Sequence, residues 1–139
     1  GGQDIYTARY DAASNQWLQE SLPDAINSPL VESHALILPD GKTLIWYSRL
    51  RPNLGSVDLK AAILEDDGSW TGPISLGPRI NTPGIDFGPG MSGDGLTFFF
   101  SRDGQMMEWP MSALQAEIAR ARQALETDRV DSYLGLSVR

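Results

Sequence analysis

The chain has 139 residues, of which 41% are hydrophobic and 21% charged, a composition typical of a globular protein with a single core. Its net charge of −7 and its scarcity of lysine (only Lys42 and Lys60) argue against nucleic-acid binding, which requires clustered basic side chains. The absence of cysteine excludes disulfides and thiolate sites, and no apolar run approaches the ~18 residues of a membrane span.

Alternating apolar and polar residues, separated by turn residues, predict two β-hairpins in the first part of the chain. The first hairpin takes residues 4–10 and a second strand around Trp17. The second hairpin takes residues 32–38 and 43–48, which flank the turn residues Asp40-Gly41. A polar loop follows.

The same pattern then returns 54 positions later. Ile26-Asn27-Ser28-Pro29 returns as Ile80-Asn81-Thr82-Pro83, and Asp40-Gly41 returns as Asp94-Gly95 (80 − 26 and 94 − 40). Repeats of roughly this length, filled with short strands and turns, are typical of radial arrays such as propeller blades, because one four-stranded unit cannot bury both of its faces alone.

The pattern breaks at Pro110, after which the sequence predicts an amphipathic helix over residues 112–127. Ser112 and Gln115 form a capping-box pair at its start. The predicted apolar face caps the last blade and consists of Leu114, Ile118, Ala121 and Leu125, with Glu117, Arg120 and Arg122 left to solvent. Residues 133–138 fit either a strand or a docked extended segment, and we favour the docked segment.

We therefore predict an all-β fold, a β-propeller segment of antiparallel four-stranded blades with about two and a half repeats and one C-terminal α-helix. The blades occupy residues 1–110, and the helix and tail occupy residues 111–139. A ring of at least four such blades needs on the order of 200 residues. We expect the remaining blades to come from a longer chain, of which this is a fragment, or from other copies of this chain.

Two stretches, residues 68–82 and 86–102, resemble the WD40-like repeats of TolB-type β-propellers, and residues 4–49 resemble the same pattern less closely. Ser92-Gly93-Asp94-Gly95 stands where that family usually has Ser-Pro-Asp-Gly. In that family the strand before the Asp-Gly turn lines the central channel and the strand that carries Trp lies outermost. The resemblance implies a bacterial, extracytoplasmic protein, periplasmic or secreted. It also places two triplets near the channel or its mouth, Glu32-Ser33-His34 and Asp86-Phe87-Gly88.

Glu32 and Asp86 occupy equivalent repeat positions (86 − 32 is 54), so a propeller would bring both carboxylates close to its axis. Together with His34 they are the predicted axial ligand-binding residues. Such carboxylates can bind a cation such as Ca²⁺ or a cationic ligand group; alternatively, they hydrogen-bond neighbouring strand ends or face water in the channel. We predict no cofactor, and Ca²⁺ stays open as the alternative.

The sequence offers no convincing catalytic group. A single histidine excludes a multi-histidine metal site within the chain, and the glycines of residues 88–93 lead into a hairpin instead of the helix that a dinucleotide site requires. The predicted function is a non-catalytic binding or scaffold module for a protein or glycan ligand. The alternative is part of a propeller hydrolase or lyase that acts on glycans, with Glu32, His34 and Asp86 as its polar site. The tryptophans and the Met106-Met107 pair are expected to pack in the core.

Overall fold

The computed structural model describes residues 2–136, which form nine strands followed by two helices. In chain order these elements are β1 (Tyr6–Asp11), β2 (Gln16–Ser21), β3 (Glu32–Ile37), β4 (Thr43–Ser48), β5 (Asp58–Leu64), β6 (Trp70–Ser75), β7 (Asp86–Met91), β8 (Thr97–Arg102), β9 (Gln105–Pro110), α1 (Met111–Glu126) and α2 (Val130–Leu134). None of the helices within these residues is long and apolar enough to cross a membrane.

The strands form three antiparallel sheets of two, four and three strands, in the orders β1-β2, β3-β4-β5-β6 and β7-β8-β9. The first sheet is a hairpin and the other two are meanders, since every strand pairs with its neighbour in sequence. The prediction of an antiparallel, mainly β fold with a C-terminal helix is thus confirmed. Within residues 2–136 one sheet has four strands, and the sheets do not close into a ring.

The sequence repeat and the sheet are different units. Strands β1 to β4 make up the first copy and β5 to β8 the second, yet the four-stranded sheet combines β3 and β4 with β5 and β6. Isolated parallel bridges join successive sheets at Gln3–Val31 and again at Val57–Ile85. These two bridges are themselves 54 positions apart (57 − 3 and 85 − 31), so each sheet meets the next in the same way.

Two apolar cores flank the four-stranded sheet, and the smaller core recurs inside the larger one. The smaller cluster contains Ile5, Leu22, Ile26, Leu44 and Trp46. Their counterparts 54 positions on are Leu59, Leu76, Ile80, Phe98 and Phe100, and all five lie in the larger cluster. The repeat therefore specifies which side chains fill the space between adjacent sheets.

Helix α1 closes the larger core, as its apolar spacing predicts. Leu114, Ile118 and Ala121 are buried there, and Leu125 packs against them. The predicted capping box is wrong, because strand β9 runs directly into the helix and Ser112 already lies in the first turn. Pro110 is the N-cap residue without a side-chain cap, and the N–H of Met111 donates to the carbonyl of Leu96 at 2.8 Å.

Glu117 is buried, which corrects the prediction that it faces solvent. Its carboxylate accepts hydrogen bonds from Arg120 and from the hydroxyl of Tyr133. Burial alone would raise the pKa of Glu117, but these two bonds and the charges of Arg120 and Arg79 together outweigh burial and lower the pKa. Tyr133 lies in α2, so the predicted extended segment is helical at this residue. The Tyr133 hydroxyl donates to Glu117 of α1 and accepts from the N–H of Gly77, and these two bonds anchor α2. The rest of that segment, residues 137 and 138, lies outside the described residues.

Two side chains predicted to lie in the core are exposed. Trp17 is 69% exposed, because β1 and β2 form a two-stranded hairpin with no further strand beside it in the described chain. Met106 is 71% exposed, on the edge strand of the third sheet. Trp46 is fully buried, and Trp70 and Trp109 pack partly buried against the cores.

Candidate ligand-binding surface

The two predicted axial carboxylates are buried at the starts of the first strands of the second and third sheets, Glu32 in β3 and Asp86 in β7. The carboxylate of Glu32 accepts from the N–H and hydroxyl of Ser28, at 3.0 and 2.6 Å, and from the hydroxyl of Ser48 at 3.0 Å. These bonds tie the strand to the preceding loop and to β4. Of the two readings of Glu32 left open by the sequence, the geometry matches bonding to neighbouring strand ends.

Asp86 makes the equivalent bonds one repeat later. It accepts from the N–H and hydroxyl of Thr82, at 2.6 and 2.9 Å, and from Nε of Arg102 at 3.1 Å. Thr82 and Arg102 are the counterparts of Ser28 and Ser48 (82 − 28 and 102 − 48). The second copy therefore replaces a hydroxyl donor with a charged one, and Arg102 also donates to the carbonyl of Ile80 at 2.6 Å.

Asp58, at the start of β5, is a third buried carboxylate in this region and was not among the predicted site residues. It is paired in register with Ser48, which is paired with Glu32 on its other side. Asp58 accepts from the N–H groups of Leu54 and Gly55, at 2.6 and 3.0 Å. Burial is the largest cause of its raised pKa. Asp58 is equivalent to Asp4 in the repeat, and this equivalence was the one sequence signal that could have pointed to a structural role for Asp58.

The described residues contain no group of three or more histidine or acidic side chains that could hold a metal ion. Glu32, Asp58 and Asp86 each direct their oxygens at donors of the protein itself. Their chemical role in this structure is to accept hydrogen bonds at strand ends.

His34 differs from the two carboxylates because it is exposed. Its backbone has φ of 53°, a left-handed conformation that non-glycine residues seldom adopt, within a bulge of β3 between Ser33 and Leu36. The counterpart position in β7 is held by Gly88 with φ of 66°, inside an equivalent bulge. The first copy therefore keeps a side chain where the second has glycine. Backbone strain of this kind is often found at functional sites.

His34 belongs to a group of three rings with Tyr47 and Phe87, which we call the ring cluster. The ring centroids of His34 and Tyr47 are 5.3 Å apart, and each lies 6.5 Å from that of Phe87. Tyr47 and Phe87 meet edge to face, with 86° between their planes, a favourable arrangement for aromatic pairs. The cluster spans the junction of the second and third sheets, since β3, β4 and β7 contribute one ring each.

The ring cluster does not follow the repeat. The counterparts of His34, Tyr47 and Phe87 are Gly88, Ser101 and Ser33, none of which carries a ring of this kind. His34 was a predicted site residue and Phe87 was placed near the channel by the resemblance, but Tyr47 was not predicted. A comparison of the two copies for aromatic residues present in one copy alone would have found it.

No protein-family model, no curated protein and no solved structure matches this chain. The interpretation of the surface therefore rests on its geometry and on the recurrence of contacts at 54 positions.

Proposed function

We propose that this chain is a segment of a β-propeller and acts as a non-catalytic binding module that holds a protein or glycan ligand on the ring cluster. The observation that carries the proposal is the contrast between the recurring and the non-recurring residues. The carboxylate bonds, the core and the sheet junctions all recur at 54 positions, as successive blades require. The ring cluster is an addition to this repeated frame.

The chemistry of the ring cluster supports ligand binding. His34 is exposed, and Tyr47 and Phe87 are partly buried, so the cluster offers apolar ring surface together with polar ring atoms. Aromatic side chains are enriched where proteins bind partners, because they bury a large area and lose few rotamers on binding. The innermost strands of a propeller present such a surface at the mouth of the channel.

No observation favours the alternative of glycan hydrolysis at this site. Glycoside hydrolysis uses carboxyl groups with access to the substrate. Glu32 and Asp86 are buried, at 1% and 0% exposure, and both bond to the protein.

The propeller proposal also requires further strands beside β1. In the four-stranded sheet β5 pairs with β4 as well as with β6, whereas its counterpart β1 pairs only with β2 among the described residues. Two strands equivalent to β3 and β4, from a longer chain or from another copy, would complete that blade.

A photo-crosslinking residue at position 34 tests the binding surface. The chain carrying p-benzoylphenylalanine in place of His34 is compared with a chain carrying it in place of Leu96, which is 68% exposed on a distant turn. We expect a discrete crosslinked protein from position 34 alone, or, for a glycan ligand, array binding that His34→Ala and Phe87→Ala abolish. Equal labelling from both positions, with no glycan bound, would contradict the proposal.

A further inference from the structure

A cavity of about 140 Å³ lies between strands β5 and β6 of the four-stranded sheet and the two helices. Most of its wall is apolar and includes Ile74 of β6, Ala121 and Leu125 of α1, and Val130 of α2. A cavity of about 150 Å³ accommodates benzene, so the space suits a ligand of about six to eight heavy atoms. The ring cluster lies elsewhere, and its residues are not part of this wall.

The one basic side chain in this wall is Lys60, which is 1% exposed. Its ammonium group donates to the hydroxyl of Ser75 at 2.6 Å and to the carbonyl of Pro52. Both acceptors are neutral and both belong to residues of the cavity wall. Because an ammonium group has three N–H donors, one more acceptor can be added from the cavity.

Among the described residues, no carboxylate forms an ion pair with Lys60. Asp58 acts on it electrostatically, but the oxygens of Asp58 accept from the backbone of Leu54 and Gly55. Burial lowers the pKa of Lys60 to about 8, so the amine is still mainly protonated at pH 7. A buried cation without an anionic partner is costly, which favours entry of an anion.

We propose that this cavity binds a small monocarboxylate of about four to six carbons, whose carboxylate pairs with Nζ of Lys60. The hydrocarbon part lies against Ile74, Ala121 and Leu125. The ammonium at one side of a mostly apolar wall selects an acid over a neutral analogue of the same shape. The proposal does not depend on the propeller or on the ring cluster.

The direct test is saturation-transfer NMR on the 139-residue chain at pH 7, with isovalerate and its neutral analogue isovaleramide as probes. We expect transfer to isovalerate and at least tenfold weaker binding of the amide, because the amide cannot neutralise Lys60. Equal binding of the two probes would overturn the proposal, as would the absence of isovalerate binding at millimolar concentration. This comparison requires no variant.

Two variants separate the charge from the space. Lys60→Met removes the charge at similar length, and Val130→Phe fills the cavity while Lys60 stays. Both should weaken isovalerate binding at least tenfold, whereas Lys42→Met, which changes the other, exposed lysine, should leave it unchanged. Circular dichroism checks that each variant is folded. If Lys60→Met fails to fold, Val130→Phe and the acid–amide pair decide. Wild-type affinity in a folded Lys60→Met or Val130→Phe variant would contradict the site.

Discussion

Asn27 and Asn81, 54 positions apart, make the same hydrogen bonds to the backbone of equivalent residues. Asn81 accepts from the N–H of Leu59 and donates to the carbonyls of Leu59 and Leu76, at 2.8, 3.0 and 2.7 Å. Asn27 makes the corresponding three bonds to Ile5 and Leu22, at 2.7, 2.8 and 3.4 Å. Each asparagine thus fastens the loop that leads to the next sheet.

The two asparagines should differ in their contribution to stability. Asn81 is fully buried, so Asn81→Ala leaves three backbone groups without partners and should lower the free energy of unfolding by about 3 kcal/mol. Asn27 is half-buried and water can replace its bonds, so Asn27→Ala should cost about 1 kcal/mol. Urea denaturation of both variants measures the difference, and equal losses would contradict the assigned burial.

The buried carboxylates should differ in the same measurement because their partners differ in charge. Asp86→Asn leaves Arg102 without its carboxylate and should cost about 3 kcal/mol. Glu32→Gln loses bonds only from neutral donors and should cost about 1 kcal/mol. A larger loss for Glu32→Gln would mean that the ion pair of Asp86 with Arg102 contributes less to stability than the hydrogen bonds of Glu32.

Helix α1 should act as a cap on the core. Ile118 is 4% exposed, so Ile118→Asp places a charge in the larger cluster and should cost more than about 4 kcal/mol. The same substitution at the exposed neighbour Ala119 should cost less than about 1 kcal/mol. Thermal unfolding compares the two. Similar melting temperatures, with partner binding lost in Ile118→Asp, would instead indicate a partner-binding helix.

The free energy of unfolding should rise between about pH 8 and pH 10 because of Lys60. Its pKa in the folded chain is about 8, below the ordinary lysine value of 10.5, so in this range the unfolded chain holds the proton that the folded chain has released. Stability rises with pH wherever the unfolded state binds more protons, here by about 2 kcal/mol in total. In Lys60→Met this rise should be absent, as urea titrations of both proteins at several pH values can measure. A rise that persists in the variant would have another source.

The isolated chain should associate in solution through the hairpin of β1 and β2. Tyr6, Tyr10 and Trp17 are 50%, 47% and 69% exposed there, and β1 has an unpaired edge among the described residues. Sedimentation should therefore show species heavier than one chain of 15.2 kDa. Trp17→Lys should reduce association, and Leu96→Lys should not. A monodisperse monomer would show that this edge needs no further strands.

The repeat made most of the strands and turns predictable, because Asp-Gly turns and alternating side chains are local signals. Which strands of successive copies share a sheet was not predictable in the same way. A repeat of 54 residues is compatible with any division of its four strands between adjacent sheets. The exposure of Trp17 and the burial of Glu117 depend on which elements lie beside them. Likewise, the ring cluster joins residues up to 53 positions apart (87 − 34), and no local pattern links His34, Tyr47 and Phe87.

The sheet that takes strands from both copies has a consequence for how such a chain can lengthen. Because Val31 and Ile85 occupy the same structural position before β3 and β7, deletion of residues 32–85 would join Val31 to Asp86 and recreate the native junction. Insertion of one more period at the same point would do so as well. A duplication need not begin at a sheet boundary, since any window of one full period adds four strands in the right order. The unit that a duplication adds is therefore the 54-residue period, whereas the unit of the folded structure is the sheet. Whole sheets can be gained or lost without a new interface having to arise.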